Sequence, residues 1–333
     1  MKKATGFFCV AFILSFIACS KDNPVTNQLL EIKWEQLLNN RNVTGIAFNS
    51  RGDIYVSVYE AGIGNKIFYS KDIVIWDSAN ITLAKNENVK ALYVNESGEI
   101  FIAGHDGMQC NLYCSKDDGK TWANISPEHK SDFKRILSVG NKLFISSIFH
   151  DESPGGIYYT TNYGENWTTS FWQRNKGNGS LILLSDNTLM DVRSDSLLVS
   201  ADEGQSWTLK KGIIDSAYIR TLEADQSGNV YASTYKGVYR SGDKGTSWTK
   251  TGLSNLVISI FKSTSSGYLF ASEGLVNMES PKGIYFTSDR GATWAECNDG
   301  LTDKLIQAIA VDNKGYVYAG TGTGVFRTIV PIK

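Results

Sequence analysis

Seven residues of this 333-residue chain, Thr44, Lys90, Arg135, Ser180, Arg220, Ser259 and Gln307, open successive apolar stretches at equivalent places. Lys90, Arg135 and Arg220 are cationic, although the chain carries a formal net charge of −1. Converging ammonium and guanidinium groups hold a carboxylate, sulfate or phosphate, and a guanidinium can do so through two parallel hydrogen bonds. The plainer reading is that each cation is solvated or paired with a loop acid. A second group is His105 with Asp106 and His150 with Asp151 and Glu152. Two imidazoles and their carboxylates can ligate a metal. No His-x-x-x-His spacing joins them and no third ligand is placed, so neither a metal nor a cofactor is expected. Tyr59, Phe171, Trp172 and Tyr235 are aromatic groups that either stack on sugar rings or pack their own loops. A hydrolase would need a carboxylate pair roughly 5 to 10 Å apart with one raised pKa. Glu60, Asp106, Asp151, Glu152 and Glu273 are the acids available for it.

What must position these residues is a repeat. The pattern Ser/Thr-x-Asp-x-Gly-x-Ser/Thr-Trp occurs at Ser115 to Trp122, Ser200 to Trp207, Ser241 to Trp248 and Thr287 to Trp294. Thr160 to Trp167 carries Asn162 in the Asp place, and Ser70 to Trp76 is one residue short and lacks the Gly. The tryptophans 76, 122, 167, 207, 248 and 294 are 46, 45, 40, 41 and 46 residues apart. A period of about 40 to 45 residues is that of a four-stranded propeller blade. Between copies, alternating stretches flank a Gly turn, as in Ile46 to Val56 and Ala224 to Ala232, and read as hairpins. A third strand of the type Gly237-Val238-Tyr239 follows, and the fourth starts at the Trp. Six blades are complete. The seventh, Ile306 to Thr328, lacks its fourth strand, and Leu30 to Trp34 is the segment expected to supply it by pairing with Gly324 to Thr328. The expectation is an all-β, seven-bladed propeller of four-stranded antiparallel blades, closed by its N-terminal strand, which leaves no open sheet edge. The motif turns then lie on one face, and the seven strand-opening residues lie at the channel mouth on the other.

The motif resembles the Asp-box of sialidases, sortilin-type receptor propellers, xyloglucanase-type hydrolases and photosystem II assembly factors. That resemblance covers eight residues per repeat and implies a hairpin, not an activity. Physically, an Asp in a tight turn accepts backbone N–H bonds, Gly takes positive φ, and the Trp packs the hairpin on its blade. Asp117, Asp202, Asp243 and Asp289, with Trp122, Trp207, Trp248 and Trp294, are therefore read as structural. The sialidase pattern has an early Arg-Ile-Pro, and the nearest string here is Arg135-Ile136-Leu137 in the third blade. Xyloglucanase-type hydrolases need two propellers, and one is expected here.

Lys2 and Lys3 precede an apolar run, Phe7 to Ala18, too short for the about 20 residues that span a bilayer. Its end, Phe16-Ile17-Ala18-Cys19-Ser20, resembles the lipobox of bacterial lipoproteins. The resemblance implies a signal peptide over 1–18, a lipidated Cys19, a tether over 19–28 and a propeller over 29–333. Ser20, where an Asp would imply inner-membrane retention, implies an outer-membrane address, periplasmic or surface-exposed. Loss of Lys2 and Lys3 leaves 31 basic against 34 acidic residues, a formal −3, and no basic field for nucleic acid. Cys110 and Cys114 share a strand, which holds them about 13 Å apart at ~3.3 Å per residue, and with Cys297 they are read as buried thiols. The function expected is a monomeric cell-envelope lipoprotein, held to the membrane only by its lipid anchor. It would bind a glycan or envelope protein without turning it over. The alternatives are a sialidase-like glycoside hydrolase acting on an acidic sugar at the channel mouth and an assembly factor of an envelope complex.

Overall fold

The computed structural model describes residues 31–79, 81, 83, 88–105, 110–128, 132–148, 155–173, 179–211, 214, 217–254, 256–276 and 280–333. Segments 1–18 and 19–28, Cys19, Asp106, His150, Asp151 and Glu152 lie outside them. Ile32–Lys333 forms one compact unit. It consists of seven four-stranded antiparallel sheets, the blades of a propeller, numbered here 1 to 7 in chain order.

The inner strands are Asn42–Phe48, Asn88–Val94, Asp132–Val139, Ile182–Leu183, Ile219–Ala224, Ile260–Ser263 and Ile306–Val311. The second strands, for example Ile54–Glu60 and Val230–Thr234, are buried along nearly their whole length. They read as continuous apolar runs because a neighbouring blade covers each face. Seven apolar clusters fill the seven blade interfaces. Val139, Phe144 and Ile157 of blade 3 meet Leu181, Leu189 and Leu198 of blade 4 in one of them. Val43, Val56 and Val58 of blade 1 meet Tyr318 and Val325 of blade 7 in another. The ring closes as the repeat requires, but later than expected. The N-terminal strand is Trp34–Asn39 rather than 30–34, and it pairs Trp34 with Thr328 and Asn39 with Gly324. It thus starts at its Trp, as the other outer strands start immediately after theirs.

The aspartate turns link third to fourth strands. In blade 5 Asp243 accepts the Ser241 hydroxyl at 2.8 Å, the Ser247 N–H at 2.8 Å and the Ser247 hydroxyl at 2.6 Å. Ser241 Oγ accepts the Gly245 N–H at 2.8 Å, and Trp248 Nε1 donates to the Gly245 carbonyl at 3.2 Å. Gly245 has φ +77°, and a Cβ there would stand 2.3 Å from Leu197 Cδ2, which explains the glycine. Asp117, Asp202 and Asp289 accept the same hydroxyl and N–H bonds. The residue between Asp and Gly is also left-handed, at Asp118, Tyr163, Glu203, Lys244 and Arg290. In four blades it reaches back to the preceding blade. Asp118 accepts Arg51 at 2.7 Å, Tyr163 donates to Glu99 at 2.7 Å, Glu203 accepts Lys142 at 3.4 Å, and Lys244 pairs with Asp186.

Candidate functional site

Every inner strand lines a central channel cavity of about 930 Å³. Thr44, Lys90, Arg135, Ser180, Arg220, Ser259 and Gln307 all lie on its wall. The ladder shows why a wall residue opens each strand. In five blades the inner strand bulges, so that two residues oppose one on the second strand, and the extra residue turns out of the ladder. The extra residues are Thr44, Lys90, Lys134, Arg220 and Gln307. Ser259 in blade 6 and Gly179 in blade 4 occupy the same register, ten positions before the first residue of the second strand.

This corrects the expected ring at two blades. In blade 3 the member is Lys134, and Arg135 stands one step further along the strand, opposite Ser146. In blade 4 the member is Gly179, and Ser180 stands one step further. The shift in blade 3 comes from a tight turn at Gly140-Asn141, where Val139 pairs with Lys142 and the hairpin is one residue shorter. Counting back from the second strand locates the position in blade 4, but a glycine offers no side chain to notice. In blade 3 the shorter hairpin moves the position to Lys134, which is held by Asp132 at 2.5 Å.

The shift brings Arg135 to the residue next to Arg220. Arg135 and Ser180 are register equivalents of Thr221, the neighbour of Arg220. Arg135 crosses blade 4 and donates from Nη2 to Thr221 Oγ1 of blade 5 at 3.4 Å. Gly179 and Ser180 are the blade 4 residues at this level of the wall. Gly179 is left-handed at φ +58°, and a Cβ there would meet Ser146 Oγ at 3.1 Å and Lys134 Cβ at 3.3 Å. Ser180 Oγ accepts the Leu222 N–H at 2.9 Å and shares a hydrogen bond with Thr221 Oγ1 at 3.2 Å. Arg220 donates from Nη1 to the Tyr235 hydroxyl at 2.9 Å and lies 5.4 Å from that ring's centre. Tyr218 packs beside Tyr235 with ring centres 6.2 Å apart. Arg220 Nε is buried without a hydrogen-bond partner among the described residues.

Charge on this wall is unequal. The cations are Lys90, Lys134, Arg135, Arg220 and Lys262, and the acids are Glu96 and Glu223. Lys134 is paired with Asp132 and Lys262 lies 3.7 Å from Glu223. Among the described residues no ion pair joins Lys90, Arg135 or Arg220 to an acid. At the ring positions of blades 6, 7 and 1 stand neutral groups that are already engaged. Ser259 donates to the Glu273 carbonyl at 2.5 Å, Gln307 to Asn42 at 2.6 Å, and Thr44 Oγ1 lies 2.9 Å from Ser57 Oγ.

The remaining candidates scatter. His105 ends the second strand of blade 2 and is half-buried. Tyr59 and Tyr235 are exposed at the second-strand ends of blades 1 and 5, and Trp172 is exposed on the outer strand of blade 3. Phe171 instead packs on Trp207 between blades 3 and 4, with ring centres 6.5 Å apart, and is not a loop aromatic. Glu60 is clamped by Arg41 and Lys66, both at 2.8 Å, and Glu273 is buried. Among the described residues no three His, Cys, Asp or Glu side chains gather as metal ligands. Cys110, Cys114 and Cys297 are buried thiols, and burial pushes Cys110 and Cys114 up to about 12.

Residues 70–216 match a family described as the DUF6242 beta propeller domain. No curated protein matches the chain. Among solved structures, YCF48 bound to D1 peptide is similar, with 13% identity, coverage of 91% of this chain and 96% of that one, and a TM-score of 0.69. Virginiamycin B lyase from Staphylococcus aureus is similar at 14% identity, with 90% and 99% coverage and a TM-score of 0.71. The GH74 enzyme of Niastella koreensis is similar at 17% identity, covering 87% of this chain and 43% of that one, with a TM-score of 0.59. At these identities the likeness is one of fold, shared by a peptide-bound protein and by enzymes.

Proposed function

We propose that this protein is a cell-envelope lipoprotein whose channel mouth binds an anionic group of a glycan or protein partner without turning it over. The observation that carries the reading is the pair Arg135 and Arg220. Two guanidiniums from different blades lie on one side of the channel wall, and among the described residues no acid pairs with either and one buried N–H is unsatisfied. A buried donor without an acceptor is costly, and a carboxylate placed there supplies it. Lys90 extends the positive sector to blade 2, whereas the ring positions of blades 6, 7 and 1 are neutral and Lys262 of blade 6 is paired with Glu223. The ligand that fits has one anionic end and a neutral remainder, and Tyr235 offers that remainder an aromatic face. Lipidation at Cys19 rests on the Phe7 to Cys19 sequence and places the propeller at the membrane.

Thermal melting of the full chain in detergent micelles tests this against acidic oligosaccharides, their neutral counterparts and acid-tailed peptides. A rise in Tm confined to one acidic class, and absent in Arg135→Ala and Arg220→Ala, identifies that class as the ligand. Equal rises with neutral and acidic sugars, or no rise with any acidic compound, would overturn the reading. Turnover of a shifting sugar would replace binding with hydrolysis. Glu60 is a poor candidate for that chemistry, because both its oxygens are already engaged by Arg41 and Lys66.

A further inference from the structure

Blade 4 carries a charge where every other blade carries none. Asp191 and its register equivalents Val56, Ile102, Ile145, Ala232, Ala271 and Ala319 occupy the middle of the second strands. Asp191 is fully buried and lies 2.8 Å from Arg193, which is also buried. Ser146 of blade 3 donates its hydroxyl to Asp191 at 2.7 Å, and Arg193 donates to the Ser147 carbonyl at 3.0 Å. Replacing such a pair by apolar groups is often neutral or stabilising, so stability alone does not account for it.

The same blade has the shortest inner strand. Its ladder is only Ile182 with Met190 and Leu183 with Leu189, whereas blade 5 pairs from Ile219 to Ala224. Above Ile182 the chain leaves the ladder, and Gly179 lies instead against Ser146, the residue that Asp191 holds and that pairs with Arg135, where a Cβ would stand 3.1 Å from Ser146 Oγ. From there the contacts run on without a gap. Ser180 Oγ is hydrogen-bonded to Thr221 Oγ1, and Thr221 Oγ1 accepts Arg135. We infer that the buried Asp191–Arg193 pair is a positioning device for the channel mouth. It holds Gly179 and Ser180 as the floor over which Arg135 reaches blade 5. The inference rests on the anion-binding reading for its purpose, though not for its geometry.

The test uses residues this chain already tolerates. Blade 5 has Ala232 and Thr234 at the two positions, so the double variant Asp191→Ala, Arg193→Thr gives blade 4 the second-strand pair of blade 5. Three quantities are read in the full chain in detergent: the melting temperature, the Kd for oligogalacturonate, and the rate at which phenylglyoxal modifies Arg135, located by mass spectrometry. Retained melting, a Kd weakened at least tenfold and a severalfold change in the Arg135 modification rate are expected. Ser180→Ala, which cuts the link and leaves the pair, should reproduce the modification change if the double variant fails to fold. An unchanged modification rate in a folded variant overturns the inference, whether or not the sugar binds. If Arg135→Ala leaves oligogalacturonate binding unaltered while the rate does change, the positioning stands and the ligand assignment fails.

Discussion

On one face of the propeller Asp117 accepts the Thr121 hydroxyl at 2.6 Å, the Thr121 N–H at 2.9 Å and the Ser115 hydroxyl at 2.9 Å, while its neighbour Asp118 takes Arg51 of the preceding blade. At the other end of the channel Arg135 finds a single long contact to a threonine, and Arg220 a tyrosine hydroxyl. Both regions are rich in charge and both recur by blade. In the first, the chain supplies a partner for each aspartate within four residues, so the carboxylates are consumed in making a turn. In the second, a bulge pushes Arg220 out of the ladder and Arg135 stands one step past another, and among the described residues no acid pairs with either. Charge that the local chain satisfies is architectural, and charge it leaves unsatisfied marks the place for a ligand.

Changes at the two ends should therefore separate stability from binding. The largest effect is expected from the double variant Arg135→Ala, Arg220→Ala. Hydrogen bonds to charged groups contribute about 1.5–3 kcal/mol each, so each guanidinium lost should weaken anion binding roughly 10- to 100-fold. The melting temperature should scarcely move. Gly245→Ala breaks the comparison from the other side. The left-handed backbone and the overlap with Leu197 should destabilise the fold by about 1–3 kcal/mol, read by denaturant unfolding, with anion affinity unaltered.

Acid should act on the turns. The Thr121 and Ser206 hydroxyls and N–H groups hold Asp117 and Asp202 down at about 2, below the about 3.9 of an unfolded chain. The stability these carboxylates add is complete above about pH 4 and is lost as pH falls through about 2. Asp117→Asn should flatten that part of the pH–stability curve. The smallest effect sharpens the contrast between turns. Trp294 Nε1 donates to the Gly291 carbonyl at 3.2 Å, but Trp76, in the turn without a Gly, has a buried Nε1 with no partner among the described residues. Trp294→Phe should cost about 0.5–1.5 kcal/mol more than Trp76→Phe, the net value of one hydrogen bond.

The tryptophan spacing made the blade count and the closing strand legible, because a repeat that must bury both faces of its middle strand repeats its apolar pattern. The aspartate turns were legible for the same reason, since Asp, Gly and Trp each have a fixed task within eight residues. The residue between Asp and Gly was not, because Asp118, Tyr163, Glu203 and Lys244 differ chemically and gain meaning only from the blade before. The channel ring was read in five blades and slipped in two, where a two-residue turn and a glycine removed the cues. Asp191 carried no signal at all. A lone acid in an apolar strand reveals its role only when the short ladder beside it is seen.

The most direct test of the channel-mouth site is the Nε–H resonances of the arginines, assigned by Arg→Lys variants and followed as glucuronate is titrated into the full chain in detergent. Saturable shifts at Arg135 and Arg220, with Arg51 and Arg327 still because Asp118 and Glu35 already hold them, are the predicted result. No shift at either channel arginine, or equal shifts at all four, would contradict it.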